Sequence, residues 1–212
     1  MKVENRKIVL VANSPTVTDI NDFLNDDDIV VRFNIPLVTT LCKTGEKTDI
    51  LFLANTVDLM EDRLKKDSEF LNYLNNLSDV KVIFPYEDDL VKKINPLCKV
   101  VNKIFFIKFK KFINNWDNQK YISFFEKRGI DVEIVPESVY WDASEKLNLK
   151  DTSLIVSSGF LATLFFLNSE KYKEFDIYLH GFSFEGWCGH AWDFERAYIS
   201  SLVKKGEIKL FL

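Results

Sequence analysis

The chain has 212 residues, of which 47% are hydrophobic and 28% are charged, and its formal net charge is −4 at pH 7. A chain of this length builds one sizeable core, so we expect a single domain that spans residues 1–212. The composition argues against wholesale disorder, and the slightly acidic balance gives no reason to expect a nucleic-acid partner.

Seven short apolar runs, rich in β-branched residues, predict strands. They are KIVLVA (7–12), IVVRF (29–33), DILFLA (49–54), VKVIF (80–84), VEIV (132–135), SLIVSS (153–158) and DIYLHG (176–181). Several runs are continuous rather than alternating, which is typical of strands buried on both faces of a parallel sheet. We therefore expect a central sheet that is mostly parallel.

Helical patterns lie between many of these runs. The segments are TDINDFL, TVDLMEDRLKKDSEFLNYLNNL, the Lys- and Phe-rich stretch from Pro96 to Arg128, GFLATLFFLNSEKY and HAWDFERAYISSLVKKG. Strands that alternate with helices indicate a layered α/β fold, in which helices flank the sheet. In such folds, ligands bind at the carboxyl ends of the strands, beside helix N-termini.

Small polar residues and glycines follow several predicted strands. They are Asn13 and Ser14 after the first strand, Asn34 after the second, Asn55 after the third, Ser157, Ser158 and Gly159 after the sixth, and Gly181 after the seventh. The sequence has neither a G-x-G-x-x-G fingerprint nor a G-K-[ST] loop, so side-chain amides and a few backbone donors would have to hold a nucleotide. At Ser157, Ser158 and Gly159 a phosphate would meet hydroxyls and helix N–H groups, and N-capping by Ser158 is a compatible alternative.

The chain has two histidines, His180 and His190. His190 opens a predicted helix, and its imidazole, with a pKa near neutrality, is suited to accept a hydroxyl proton; a capping or packing role is the alternative. Glu195, five residues on, is a second catalytic candidate. It is otherwise a solvated helix residue, or it steadies the first helical turn by accepting from free N–H groups. We expect His180, at the end of an apolar run, to be a core residue.

The segment 99–128 is locally basic, with eight basic residues against two acidic ones. One interpretation is a core-packing helix with a solvated basic face; the other is a surface for peripheral contact with anionic lipid or a lipid-linked acceptor. The N-terminus has the pattern of neither a signal peptide nor an anchor, and the three cysteines share no C-x-x-C spacing. We expect a cytoplasmic protein with reduced thiols, at the inner face of the membrane if this segment docks there.

Six segments, taken in order, resemble motifs of the sialyltransferase superfamily. VANSPTV (11–17) resembles the loop after the first strand of that family, DDIVVRFN (27–34) its second strand and FLANT (52–56) its asparagine loop. VSSGFLATLFF (156–166), followed by IYLHGFSF (177–184), is similar to the small sialylmotif. HAWDFE (190–195) matches the last motif, H-x-x-x-x-E.

The resemblance implies a Rossmann-like, GT-A-like variant of the α/β fold and a CMP-sugar-dependent glycosyltransferase. The reaction implied is inverting transfer of an acidic sugar, sialic acid or Kdo, to a hydroxyl of a bacterial surface polysaccharide or lipooligosaccharide. The donor would be a CMP-sugar and the acceptor an oligosaccharide or glycolipid, with no cofactor and no metal. The implied nucleotide-binding residues are Asn13, Ser14, Asn34, Asn55 and Gly181, with Ser157, Ser158 and Gly159 on the phosphate side and His190 as the base.

Three aspartates, Asp26, Asp27 and Asp28, raise one alternative, a metal-dependent transferase that uses another nucleotide sugar. We favour a turn here, because these acids precede their strand and so lie at its amino end, away from the ligand edge. Arg32, in that strand, is predicted to be structural and to pair with one of these acids. A further alternative is a non-catalytic glycan-synthesis partner with the same fold, since the tract 180–190 is short.

Overall fold

A computed structural model of the protein describes residues 5–14, 18–36, 45–77, 79–94 and 117–211. In this part of the chain, seven parallel strands form one sheet in the order β5-β4-β3-β2-β1-β6-β7. The strands are β1 (Arg6–Val11), β2 (Ile29–Phe33), β3 (Ile50–Phe52), β4 (Lys81–Phe84), β5 (Asp131–Ile134), β6 (Phe175–His180) and β7 (Lys209–Leu210). The predicted α/β fold class is confirmed, and six of the seven predicted strands are present.

Seven α-helices accompany the sheet in the described residues. They are α1 (Val57–Lys65), α2 (Ser68–Asn75), α3 (Asp88–Lys93), α4 (Asn118–Glu126), α5 (Glu137–Lys146), α6 (Ser158–Asn168) and α7 (Trp192–Lys205). TDINDFL forms only a short 3-10 helix, Asn21–Phe23. The pattern over 56–77 is divided into α1 and α2, because the Asp67 side chain accepts a hydrogen bond from the Phe70 N–H (2.9 Å) and caps a new helix.

Successive residues of the strands face opposite layers of helices. Leu10, Val31 and Phe52 lie in a core shared with residues of α5, α6 and α7, whereas Leu51 and Val82 lie in a core shared with residues of α1, α2 and α4. Both faces of the sheet are therefore apolar, which explains the continuous hydrophobic runs in the sequence. The α6 segment is apolar on all sides and is buried from Phe160 to Phe166.

One predicted strand is wrong, and one strand of the sheet is absent from the prediction. SLIVSS is wrong as a strand: it makes a single parallel bridge, Ile155 with His190, and then turns directly into α6. β7 is missing from the prediction because it has only two residues, both exposed, so no apolar run marks it.

The basic segment predicted over 99–128 lies outside the described residues up to residue 116, and its last part contributes α4. No helix of the described residues is long and apolar enough to span a bilayer.

The order of the strands fixes where a ligand site is expected. From β1 the chain passes to β2 on one side, while β6 pairs with the other side of β1, with Val11 opposite His180. The connection that follows β1 and the connection that follows β6 therefore run to opposite sides of the sheet. A crevice opens between them, at the carboxyl ends of β1 and β6. The loops that follow Val11 and His180 border it.

Candidate active site

A cleft of about 490 Å³ lies at this carboxyl edge of the sheet. Nine of the ten predicted site residues line it: Asn13, Ser14, Asn34, Ser157, Ser158, Gly159, Gly181, His190 and Glu195. They come from five separate places in the chain, namely the ends of β1, β2 and β6 and the starts of α6 and α7. Aromatic side chains that the sequence did not single out, Phe33, Phe182, Phe184 and Trp192, complete the walls.

Close backbone contacts hold the β1 and β6 loops together. The Ala12 N–H donates to the His180 carbonyl (2.9 Å), and the Ser14 N–H donates to the Gly181 carbonyl (3.2 Å). Gly181 has φ +68°, and a Cβ at this position would lie 3.1 Å from the Ala12 oxygen and 3.3 Å from the Ser14 oxygen. Both the left-handed backbone and the crowding favour glycine here.

Each of the two cleft asparagines uses one end of its amide to fix a loop. The Asn13 Nδ2 donates to the Phe33 carbonyl (3.0 Å), which leaves Oδ1 as an acceptor for a ligand. Asn34 has φ 55°, and its Oδ1 accepts from the Ala54 N–H (3.1 Å) and from Arg63 Nη1 (3.3 Å). The Asn34 Nδ2 is then the donor that remains for a ligand in the cleft.

The start of α6 is organised by Ser157 and Glu195, both of which are buried. The Ser157 hydroxyl accepts a hydrogen bond from the Phe160 N–H (3.2 Å), so the N-cap is Ser157, and the alternative of a cap at Ser158 is wrong. Glu195 Oε1 accepts from the Ser157 N–H (2.8 Å), and Oε2 accepts from its hydroxyl (2.6 Å). Burial raises the pKa of Glu195. Both oxygens of Glu195 are thus engaged by Ser157, which favours a supporting role. Glu195 stabilises the start of α6, and not the first turn of α7, the helix to which it belongs.

Ser158 and Gly159, one residue further on, face the cleft. The Ser158 hydroxyl is hydrogen-bonded to Tyr86, a tyrosine at the end of β4 whose pKa burial raises to about 12. A Cβ on Gly159 would lie 2.9 Å from the ring of Phe182, so only a glycine lets this ring approach the helix start. The backbone N–H groups at the start of α6 and the Ser158 hydroxyl suit a phosphate.

His190 lies in the wall of the cleft at the start of α7. Its Nδ1 lies 3.4 Å from the Ile155 carbonyl, so a proton on Nδ1 would leave Nε2 as an unprotonated acceptor. Burial lowers the pKa of His190, which keeps the imidazole neutral at pH 7. The rings of Trp187 and Trp192 contact it edge-on, at centroid distances of 5.1 and 5.0 Å. A neutral, oriented imidazole is the state that general-base catalysis needs.

Several solved sialyltransferases share this architecture. CstII from Campylobacter jejuni, solved with the substrate analogue CMP-3FNeuAc, matches with a TM-score of 0.53 at 15% identity, over 97% of this chain and 79% of that chain. Monofunctional alpha-2,3-sialyltransferase Cst-I from Campylobacter jejuni matches with a TM-score of 0.56 at 14% identity, over 97% and 75%. A mammalian sialyltransferase matches with a TM-score of 0.54 at 14% identity, over 99% and 70%.

This chain has the sialyltransferase fold. No family model matches it, and no curated protein matches it in sequence. The likeness therefore lies in the architecture, and it confirms the Rossmann-like arrangement that the sequence motifs implied.

Asn55 is the one predicted site residue that does not line the cleft of this sialyltransferase fold. It is fully buried, and its Nδ2 donates to the Tyr86 carbonyl (2.7 Å) and to Asn118 Oδ1 (2.6 Å). Asn118 Nδ2 donates to the same carbonyl (2.8 Å). Asn55 thus joins the ends of β3 and β4 to the start of α4, below the surface of the molecule.

The acids before β2 and the second histidine have structural contacts. Asp28 is buried at the amino end of the sheet and accepts from the N–H groups of Lys7 (2.7 Å) and Asn25 (2.8 Å). The Arg32 guanidinium donates to the carbonyls of Gly45 (2.6 Å) and Lys47 (3.0 Å).

His180 is buried, with Nδ1 3.0 Å from the Phe211 carbonyl. Within the described ranges, no cluster of three or more His, Cys, Asp or Glu residues could hold a metal ion.

A second cavity, of about 580 Å³, is larger than the cleft. It is lined by α5 and the following loop, including Tyr140, Trp141, Asn148 and Ile155. None of the ten predicted site residues is among its lining residues, and it does not lie at the carboxyl ends of β1 and β6. The smaller cleft is therefore the candidate active site.

Proposed function

We propose that this protein is a glycosyltransferase that transfers an acidic sugar, sialic acid or Kdo, from a CMP-sugar to a hydroxyl of a bacterial surface glycan. The observation that carries the proposal is the convergence of Asn13, Asn34, Ser158 and His190 on one cleft at the carboxyl ends of β1 and β6. These residues supply amide groups for a nucleotide, a helix start for its phosphate and an imidazole for a proton. The acceptor would be an oligosaccharide or glycolipid, modified in the cytoplasm.

The donor would lie with CMP across the β1 and β2 loops. Asn13 Oδ1 and Asn34 Nδ2, the two amide atoms not used to fix the loops, would contact the nucleotide, and the start of α6 would hold the phosphate. The solved CstII complex contains CMP-3FNeuAc, which supports a donor of this class. CMP leaves with less negative charge than a nucleoside diphosphate, so we expect the helix N–H groups and the Ser158 hydroxyl to stabilise the leaving group without a metal ion.

The reaction would be a single displacement. The acceptor hydroxyl attacks the anomeric carbon from the face opposite CMP; the new C–O bond forms as the bond to the phosphate oxygen breaks. The electron pair of that bond leaves with CMP, and the hydroxyl proton passes to His190 Nε2. Configuration at the anomeric carbon is therefore inverted. The lowered pKa of His190 supports this role, because the imidazole is unprotonated before the reaction.

The decisive experiment compares wild type with His190→Ala. We expect the variant to lose transfer and to keep its thermal stabilisation by CMP, because His190 is not one of the proposed nucleotide contacts. Cys188→Ser is the matched control, since Cys188 is exposed in the same loop and its thiol has no part in the proposed reaction. Normal turnover by His190→Ala would remove the proposed base.

Two further measurements separate the alternative functions. Thermal shifts with CMP, UMP, GDP and UDP should single out CMP, and EDTA should leave transfer unchanged. Selective stabilisation by UDP or GDP, together with EDTA sensitivity, would favour a metal-dependent transferase of another class. Hydrolysis of a CMP-sugar without acceptor distinguishes an enzyme from a non-catalytic partner, because only an enzyme cleaves the donor.

A further inference from the structure

Arg63 is a buried cation that contacts a residue of the cleft. It belongs to α1, and only 8% of its surface is exposed. Its Nη1 donates to Asn34 Oδ1 (3.3 Å) and to the Ala54 carbonyl (3.4 Å). Arg63 itself is not among the residues that line the cleft. Its guanidinium therefore lies one side chain behind the cleft wall.

The burial of this guanidinium costs free energy that its contacts offset only in part. A guanidinium stays protonated in proteins, and a buried charge is unfavourable unless an opposite charge lies near it. The pKa of Arg63 is lowered, because burial outweighs the attraction of the Asp67 carboxylate. The two acceptors of Nη1, Asn34 Oδ1 and the Ala54 carbonyl, are neutral. An anionic ligand in the cleft would add an opposite charge near Arg63.

The lining of the cleft needs such a cation. Among the described residues that line it, none is lysine or arginine, whereas two are glutamates, Glu185 and Glu195. The donor of the proposed function carries a phosphate and a carboxylate, both of which are negative at neutral pH. The start of α6 supplies only partial positive charge. Within the described ranges, a full positive charge therefore reaches a ligand only from behind the lining.

Two arginines contact cleft residues from behind, Arg63 and Arg196. Arg196 Nη2 donates to the carbonyls of Ser183 (3.2 Å) and Phe184 (3.4 Å), but its side chain is exposed, so water and salt screen its charge. The charge of Arg63 is screened much less, because this side chain is buried. The Asn34 amide transmits part of the effect, since a cation on Oδ1 polarises the amide and makes Nδ2 a stronger donor.

We propose that Arg63 supplies the positive charge of the donor site from behind Asn34, and so makes the cleft selective for an anionic nucleotide over the neutral nucleoside. The identification of that nucleotide as CMP rests on the proposed function. The inference deepens that function by naming the residue that favours the charged donor. Arg63 is a positioning residue in this role, because it acts on the ligand through Asn34 and does not touch it.

Two substitutions separate the charge of Arg63 from its hydrogen bond. Arg63→Gln keeps an N–H donor for Asn34 and removes the charge, whereas Arg63→Lys keeps the charge. NMR titration of the full chain measures the Kd of CMP and that of cytidine, which lacks the phosphate. For Arg63→Gln we expect the Kd of CMP to rise about tenfold and that of cytidine to change by less than about twofold. Arg63→Lys should restore most of the affinity for CMP.

A purely structural role for Arg63 gives a different result. If the substitutions only displaced Asn34, CMP and cytidine would weaken by the same factor, and the lysine variant would restore neither. Either outcome would overturn the proposal, as would wild-type affinity for CMP in Arg63→Gln.

Two further arginines serve as controls. Arg128 lies just after α4, is exposed, donates to the Phe124 carbonyl (3.0 Å) and is not among the cleft residues. Arg128→Gln removes the same charge from the chain, and it should leave the Kd of CMP unchanged. Arg196→Gln tests the other arginine behind the cleft, and a larger loss of CMP affinity than in Arg63→Gln would refute the proposal.

Paired titrations with UMP and uridine distinguish the inference from the proposed function. Suppose that the wild type binds UMP rather than CMP, and that Arg63→Gln weakens UMP but not uridine. That result would retain the role of Arg63 and reject a CMP-sugar donor. If CMP binds and Arg63→Gln weakens it no more than cytidine, the donor is retained and the role of Arg63 is rejected. Binding of neither nucleotide to the wild type would overturn both.

Discussion

The Glu195 carboxylate binds Ser157 through both oxygens, with one hydrogen bond from the N–H (2.8 Å) and one from the hydroxyl (2.6 Å). This contact joins the first turn of α7, which carries His190 at its start, to the N-terminus of α6, which carries Ser158 and Gly159. One buried side chain therefore fixes the position of the proposed base relative to the proposed phosphate site. In this arrangement Glu195 is a positioning residue, because it acts on the site through Ser157.

Replacement of Glu195 should affect stability according to the hydrogen bonds that survive. Glu195→Ala leaves the buried N–H and hydroxyl of Ser157 without their acceptor, and we expect a loss of about 3 kcal/mol in the free energy of unfolding. Glu195→Gln keeps an acceptor for the N–H and should lose much less. Urea denaturation measures both, with Asp193→Ala, an exposed acid in the same helical turn, as the control. Equal losses for the Ala and Gln variants would contradict this role.

The pH dependence of stability gives a second test of Glu195. Burial raises its pKa in the folded protein above the ordinary value of 4.5, so the folded state holds this proton more tightly than the unfolded state. Its contribution to stability is therefore greatest below 4.5 and declines as the pH rises through the folded pKa. Glu195→Gln is always neutral, so its stability relative to wild type should increase across that interval. A constant difference between the two proteins would show that the Glu195 pKa is not raised.

The pH profile of transfer should report His190. Burial lowers the pKa of His190 below 6.5, and the base is active when unprotonated, so kcat/KM should fall on the acid side with a midpoint below 6.5. Glu195 also titrates in the site, and Glu195→Gln separates the two groups because the acid limb should persist in that variant. A limb that vanishes with Glu195→Gln would assign it to the carboxylate instead.

The sequence predicted most of the sheet because its strands are buried on both faces. KIVLVA and DIYLHG became β1 and β6, the pair that creates the crevice. SLIVSS also contains a short apolar run but is not a strand, because Ser157 caps α6 and its N–H donates to Glu195. Glu195 lies 38 residues after Ser157 in the chain, so no local sequence pattern predicts this hydrogen bond.

The site residues were predictable to the extent that they follow strands. Asn13, Asn34 and Gly181 line the cleft because strand ends converge on one edge of a parallel sheet. Asn55 also follows a strand, but its amide is drawn into a buried contact with Asn118.

Asn34 offers a substitution that separates folding from nucleotide binding. Asn34→Asp keeps the oxygen that accepts from Ala54 and Arg63 and replaces the Nδ2 donor with a second oxygen, so stability should be retained. Stabilisation by CMP should be lost, because a carboxylate neither donates to the nucleotide nor tolerates a nearby phosphate. Asn34→Ala should lose both, with about 1–2 kcal/mol of left-handed backbone strain at φ 55°. CMP binding by Asn34→Asp at wild-type strength would exclude Nδ2 as a contact.

Gly181→Ala should damage the nucleotide site through the backbone. The added methyl group would lie 3.1 Å from the Ala12 oxygen and 3.3 Å from the Ser14 oxygen, so the loop that carries Asn13 must move. Gly206→Ala is the matched control, because Gly206 has a similar φ of +75° at the end of α7 and a Cβ there meets nothing within 4 Å. Both variants should lose about 1–2 kcal/mol to backbone strain. Only Gly181→Ala should also lose thermal stabilisation by CMP. If CMP raised the melting temperature of both variants equally, the loop after β1 would not be part of the nucleotide site.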